Sequence, residues 1–361
     1  MSESLRPVRD EDQFDLAAVH EVLTQHIAGI DAATQPSVLQ FTAGASNLTY
    51  LLRYPGRDLV LRRPPAGAKP KAGHSMWREY RITRALAGHY PVPRSLYYAS
   101  ADDSVIGAEF YVMDRVDGVC LGSSMPSAWN TTAPDNRRFC EDFWTHLVKL
   151  HQLDIDTLEL QDFGHPAGYI ERQIKGWNER YANALTDDAE AFADVREWLG
   201  ANRPATENAH CIVHGDFRMD NIIIAEGIVD ADEPHAIRAV LDWEISALGD
   251  PLMDLGAALV YWIEADDPPQ LKVLKKQPSD APGMLTRREV IAHYAAASGR
   301  DIDDFTFYYV YGIFRLAVIA QQIYYRYYHG QTSNQAFAMY GPGARALGEY
   351  ARSMIEKGLR L

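Results

Sequence analysis

The run His214-Gly215-Asp216-Phe217-Arg218-Met219-Asp220-Asn221 lies between two short β-type stretches, Cys211-Ile212-Val213 and Ile222-Ile223-Ile224, and Leu241-Asp242-Trp243-Glu244 closes a third. A carboxylate and a carboxamide five residues apart, joined by another carboxylate after a nearby strand, offer two oxygen ligands for a hard cation and one carboxylate to orient a nucleophile. Phosphoryl transfer to a hydroxyl needs that set of groups. His-Gly-Asp alone would leave a polar hairpin with incidental acids as the better account. The full spacing, the flanking strands and the following Leu-Asp-Trp-Glu reverse that balance.

The elements that must position these groups can be read from the apolar periodicity. Residues 12–30 put Leu16, Val19, His20, Leu23 and Ile27 on one helical stripe. From 37 to 63 the period falls towards two, with turns at 43–47 and at Pro55-Gly56-Arg57-Asp58, which predicts a three-stranded antiparallel meander. A Pro/Gly/Lys loop at 64–73 leads to a helix over about 74–87, and two further strands are expected at 95–99 and 109–113. Beyond Asp114 the chain turns to long amphipathic helices at 137–153, 169–185 and 189–201, so a boundary between lobes is expected near 114–118. Helices resume near Pro251, and the Pro-rich stretch 266–283 reads as a mobile surface loop.

The chain has 361 residues, with 35 Lys plus Arg against 49 Asp plus Glu, and a formal charge of −14. Its length and its 47% hydrophobic content support a large core and two lobes, and exclude disorder or a fibrous repeat. Scattered basic residues on an acidic chain make nucleic acid an unexpected partner. Three dispersed cysteines, Cys120, Cys140 and Cys211, form no disulfide framework. With no apolar leader segment and no run of about 18 apolar residues, a cytoplasmic protein off the membrane is expected. Oligomeric state is not legible.

The patterns HGDxxxxN and LDWE followed by Gly249-Asp250-Pro251-Leu252-Met253-Asp254-Leu255-Gly256 resemble the aminoglycoside phosphotransferase family, in particular its branch associated with acyl-CoA dehydrogenases. The resemblance spans roughly residues 35–330 and implies an α+β, bilobal, protein-kinase-like fold binding ATP and Mg²⁺. A small N-terminal lobe, 1–114, would hold a five-stranded antiparallel sheet plus a helix; a larger, mainly helical lobe, 115–361, would hold the catalytic and acceptor sites. It makes Asp216 the catalytic base, Asn221 and Asp242 the Mg²⁺ ligands, and Asp254 a structural tie within the catalytic loop. Gly44, Ser46 and Asn47 would form the turn over the phosphates. Arg62 stands where a kinase carries its phosphate-gripping lysine, with Glu79 as partner, and the Asp114 carbonyl and Val116 amide would hold adenine.

Two departures qualify the template. Arg62 is a planar fork rather than a compact ammonium, and Asp242 is followed by Trp243-Glu244, not Phe-Gly. They keep an alternative open, a catalytically weak nucleotide-binding module. The implied acceptor is a small-molecule hydroxyl, in a hydroxyacyl compound or an aminoglycoside-like molecule. In the first case Arg172, Lys175, Arg218 and Lys272 could meet acceptor phosphates. His210 and His214 flank a strand and so lack the helical spacing of a metal pair. The tyrosine-rich run 308–328 reads as the face of a core helix, some of whose rings could line the acceptor pocket. Neither GxSxG nor GxGxxG occurs.

Overall fold

A computed structural model of the chain describes residues 5–42, 47–65, 75–189, 192–205, 207, 210–226 and 237–361. In order the elements are β1 Leu5–Arg6, α1 Leu16–His26, β2 Ser37–Phe41, β3 Leu48–Tyr54, β4 Arg57–Arg63, α2 Met76–Leu86, β5 Ser95–Ala99, β6 Phe110–Asp114, β7 Val119–Cys120, α3 Ala133–His151, α4 Tyr169–Ala182, α5 Ala193–Ala201, β8 Cys211–Val213, β9 Ile222–Ile224, β10 Ile237–Val240, β11 Ala247–Gly249, α6 Pro251–Leu259, α7 Pro269–Lys272, α8 Arg287–Ser298, α9 Thr306–Tyr328 and α10 Tyr340–Lys357. They form two compact units, and a single cut near residue 114 does not separate them. The first comprises Met1–Leu121, Asp156–Leu160 and Asn221–Ser246; the second comprises Gly122–Ile155, Gln161–Asp220 and Ala247–Leu361.

The first unit is built on an antiparallel sheet of six strands, ordered β1-β2-β3-β4-β6-β5. The expected five are present, and the two-residue β1 adds an edge by pairing Leu5 with Phe41. Strand alternation sorts the side chains. Tyr50, Leu52, Leu59, Leu61, Phe110 and Val112 pack with Val19 and Leu23 of α1. Val60, Tyr111 and Met113 face the other way, with Met76 and Tyr80 of α2. The same alternation separates two adjacent arginines. Arg63 goes to the α1 side, where its Nε donates to the Tyr50 hydroxyl at 3.1 Å, and Arg62 goes to the side of α2. The leading helix is shorter than 12–30; Asp15 caps it by accepting from the Ala18 amide. A second, three-stranded sheet orders β10-β9-β7.

The second unit is mainly helical, with one antiparallel pair, β8 and β11, register Ile212 to Leu248. Its centre is aromatic: Phe143 packs against Phe217 in a tilted pair at 4.7 Å between centroids, and Trp144 meets Trp262 edge-on at 5.1 Å. Phe217 thereby anchors the residue next to Asp216. Helices α6 and α9 touch backbone to backbone through Gly256 and Gly312. A Cβ on Gly312 would lie 2.3 Å from the Gly256 carbonyl oxygen, and one on Gly256 the same distance from that of Tyr308. This close crossing seats the first half of the tyrosine-rich run, Tyr308, Tyr309 and Tyr311, in the core, while Tyr324, Tyr325 and Tyr327 are half-buried and Tyr328 is exposed.

The stretch 266–283 is not the exposed loop that its prolines suggest. Gln277 and Ser279 are buried, Gln277 accepting from the Met219 amide at 2.9 Å and Ser279 donating to the Ile263 carbonyl at 2.7 Å. Polar side chains here serve as caps for buried backbone, which is why their composition misleads.

The α6–α9 contact leads to a direct test. Gly312→Ala must push two backbones apart and is expected to lower unfolding free energy by about 1–3 kcal/mol, whereas Gly343→Ala in α10, where a Cβ meets nothing within 4 Å, should be neutral or stabilising by up to about 1 kcal/mol. Urea denaturation of both variants distinguishes these outcomes.

Candidate active site

The first unit gathers a charged cluster on the α2 side of its sheet. The Arg62 guanidinium forms an ion pair with Glu79 of α2 and lies 3.5 Å from Asp242 Oδ1. Burial opposes the Arg62 charge, but Glu79, Tyr111, Asp242 and Glu244 outweigh it and keep the arginine firmly protonated. Burial in turn pushes the Glu79 carboxyl up, against the pull of Arg62. The planar fork that departs from the lysine pattern thus reaches two carboxylates at once.

Asp242 follows β10 with φ 66° and ψ 55°, a left-handed conformation that costs a non-glycine residue about 1–3 kcal/mol. Several bonds hold it there. The Leu241 amide donates to the Asn221 carbonyl at 2.8 Å, which brings the chain of Asn221 beside that of Asp242. Trp243, fully buried, donates from Nε1 to the Val240 carbonyl at 2.9 Å and meets Tyr90 edge-on at 5.9 Å. Where a protein kinase carries a movable Phe-Gly, this chain has a tryptophan fixed in the core. The Asp242 carboxylate itself is 36% exposed. Glu244 accepts from Asn47 Nδ2 at 2.7 Å, and the buried Asn47 Oδ1 has no partner. Asn47 is therefore inside the cluster rather than on an open turn; Gly44 and Ser46 lie outside the described residues.

At the end of β6 the Asp114 carboxylate is occupied by Arg57 at 2.7 Å and Arg94 at 2.9 Å. Only backbone is left to meet a ligand there, at Asp114 and at the half-buried Val116.

In the second unit the loop that begins at His214 hangs from Asp254. This carboxylate, wholly buried at the start of α6, accepts from the His214 amide through Oδ2 and the Gly215 amide through Oδ1, both at 2.7 Å. His151, at the end of α3, approaches Oδ2 with Nε2 at 3.1 Å while its Nδ1 meets the Tyr294 hydroxyl at 2.7 Å. Burial alone would push the Asp254 carboxyl up, but the His151 bond, His214 and the amide donors hold it below the ordinary value. Gly215 supplies the φ of 83° at which the loop turns, and the Asp216 amide donates to His214 Nδ1 at 3.2 Å. Asp216 then projects its carboxylate to Arg218, Oδ2 to Nη2 at 3.2 Å; the same guanidinium reaches Asp220 at 3.1 Å and lies 4.7 Å over the Tyr261 ring.

Of the basic residues expected near acceptor phosphates, Arg218 is thus engaged with the loop's own acids. Arg172 donates to the His165 and Ala167 carbonyls, and Lys272 to the Ala265 carbonyl at 2.6 Å. Lys175 is exposed on α4. The sequence reading passed over His151, although its place on the stripe Phe143, Leu147, Leu150 marks a histidine that must be buried. It also passed over Glu244 as the partner of Asn47, and Tyr261 beneath Arg218.

The arrangement can do two kinds of chemistry. Asn221 and Asp242 offer carboxamide and carboxylate oxygens, a hard donor set that fits Mg²⁺. Among the described residues no group of three or more His, Cys, Asp or Glu could hold a metal by itself, so phosphate oxygens and water would have to complete the shell. Asp216 offers a fixed carboxylate to a hydroxyl.

Residues 37–290 match the model of the phosphotransferase enzyme family APH. The human acyl-CoA dehydrogenase family member 11 is 32% identical over 339 residues, covering 92% of this chain and 42% of that protein. Mouse family member 10 is 32% identical over 357 residues, covering 98% and 32%. The chain spans less than half the length of these curated relatives. A crystal structure from Ralstonia eutropha, named provisionally as an aminoglycoside phosphotransferase, superposes with a TM-score of 0.81 at 31% identity, covering 96% of this chain and all of the other. The choline kinase of Cryptosporidium parvum shares the fold alone, with a TM-score of 0.58 at 10% identity, covering 94% of this chain and 96% of the kinase. No helix among the described residues is long and apolar enough to cross a membrane.

The Asp254 clamp sets a pH expectation. A carboxyl whose folded pKa is depressed contributes stability above its unfolded value, near the ordinary 3.8, and loses it as pH falls through the folded value. Asp254→Asn should therefore cost about 3 kcal/mol or more at pH 7, and the gap to wild type should narrow below about pH 4. Urea titrations across that range measure it.

Proposed function

The chain belongs to the phosphotransferase enzyme family of kinase-like fold, and we propose that it transfers the γ-phosphoryl group of ATP to the hydroxyl of a small molecule, with Mg²⁺. The observation that carries this reading is the Arg62 guanidinium held by Glu79 and set 3.5 Å from Asp242. No structural need of a strand end explains three buried or half-buried charges gathered in this way, whereas a nucleotide's phosphates and their cation do.

In the proposed reaction the acceptor oxygen bonds to the γ-phosphorus as the bond to the β–γ bridging oxygen breaks, and ADP leaves. The hydroxyl proton passes to the Asp216 carboxylate, whose direction is fixed by the His214-Gly215 turn and by Arg218. Asn221 and Asp242 would hold Mg²⁺, which when bound offsets the charge of the phosphates. Arg62 meets the α and β phosphates, Asn47 helps to shape the turn above them, and the backbone of Asp114 and Val116 holds the base. Positioning and charge neutralisation supply the catalysis.

For the acceptor we favour a hydroxylated acyl compound over an aminoglycoside. The 32% identical relatives bear the name acyl-CoA dehydrogenase family, and a phosphotransferase unit within such proteins has acyl compounds as its natural chemistry. Dehydrogenation itself is not part of this proposal for the present chain.

Two variants test the reading. Asp216→Asn should abolish most turnover and keep the Mg-dependent thermal stabilisation by ATP; near-normal turnover would overturn its role as base. Asp242→Asn, which tolerates the left-handed backbone, should lose that stabilisation, worth about 2.7 kcal/mol at a ligand concentration 100 times the dissociation constant. A Mg-dependent shift without transfer to any hydroxyl compound would identify a nucleotide-binding module instead.

A further inference from the structure

Arg315 lies one helical turn after Tyr311 in the buried half of α9 and is only 7% exposed. Among the described residues its guanidinium forms no ion pair and no hydrogen bond. A guanidinium does not shed its charge on burial, so this is an ionised group largely withdrawn from water with no counter-ion among the described residues, a costly arrangement. Its neighbours are aromatic. Its Cζ lies 5.4 Å from the Trp177 ring centroid, and Tyr261, Tyr311 and Tyr169 act on it electrostatically, as does Asp216. Burial raises the pKa of all three phenols. They remain neutral, so they cannot serve as the missing anion. Asp216 already has its ion-pair partner in Arg218.

We infer that the acceptor carries a carboxylate and that Arg315 binds it, beside the loop from which Asp216 receives the hydroxyl proton. The inference rests on the phosphotransferase reading and names the class of molecule that reading left open. A rigid fork of N–H donors matches a carboxylate bidentately. One positive charge among neutral phenols balances a monoanion, not a dianionic phosphate ester, and repels the amines of an aminoglycoside. The hydroxylated acyl compound thus enters as the free acid, with a thioester offering the guanidinium only a weak carbonyl acceptor.

Binding can be measured apart from turnover, on the full chain loaded with Mg-ADP. The probes are the ω-hydroxycarboxylates from glycolate to hydroxyhexanoate, the diols and amino alcohols of the same lengths, the monophosphate esters of those diols, and a hydroxyacyl thioester. At least one hydroxycarboxylate should bind more tightly than its diol by roughly 10- to 100-fold. Arg315→Gln should erase that preference and Arg315→Lys should restore part of it, with the ATP-induced thermal shift confirming that both variants fold. Should neither fold, the wild-type ranking of carboxylate against diol decides. The inference is overturned if diols, amino alcohols, phosphate esters or the thioester bind as well as the acids, if no acid binds, or if Arg315→Gln keeps the preference. Failure of the two readings is separable. Carboxylate preference without phosphoryl transfer by the wild type would retire the phosphotransferase and leave an anion site, whereas transfer to diols and acids alike would do the reverse.

Discussion

One buried carboxylate holds the loop that carries Asp216 in place. Asp254 accepts two consecutive backbone amides, those of His214 and Gly215, and is itself faced by His151. Two amides pointing at one carboxylate force the chain into a tight turn, and the glycine at its second position permits it. Everything downstream inherits that geometry. Asp216 leaves the turn in a fixed direction, Phe217 drops into the aromatic centre beneath it, and Met219 is capped by Gln277. The close α6–α9 contact through Gly256 and Gly312 keeps the helix that carries Asp254 against the helix that carries Arg315.

The charges follow one logic throughout. Among the described residues buried ions are paired: Arg62 with Glu79, Asp254 with its amides and His151, Arg287 with Asp267 and Glu264. Such pairs add little net stability, because desolvation offsets most of the attraction, but removing one member is severe. Against that background Arg315 stands apart. Its guanidinium forms no ion pair among the described residues, although the field of Asp216 reaches it. A bound anion is the simplest thing that would meet it.

Much of this was legible in the residues because it depends on local pattern. Alternation over 59–63 assigns Arg62 and Arg63 to opposite faces, and the order of strands and helices in the first unit follows from period and turns. The spacing from His214 to Asn221 and the Leu-Asp-Trp-Glu run were sufficient to single out the loop and its acids. What local pattern could not carry is pairing across long separations. A two-residue β1 is too short to show a period, and the return of Asn221–Ser246 to the first unit is a matter of tertiary contact. The prolines of 266–283 advertise a surface loop, while Gln277 and Ser279 bury their side chains to cap distant backbone. Arg315 reads as one polar residue in an apolar helix, and only its burial without an ion-pair partner among the described residues gives it meaning.

In the proposed reaction labour is divided between the cluster around Arg62, Glu79 and Asp242, which would hold the nucleotide, and the Asp254-clamped loop, which would perform the transfer. Calorimetric titration of Mg-ATP into Asp254→Asn, paired with its rate of phosphoryl transfer, tests that division most directly. The account predicts an unchanged Mg-ATP affinity in the folded variant with transfer reduced about 100-fold or more through misplacement of Asp216. Affinity that falls in step with the rate, or a rate that does not fall, would contradict it.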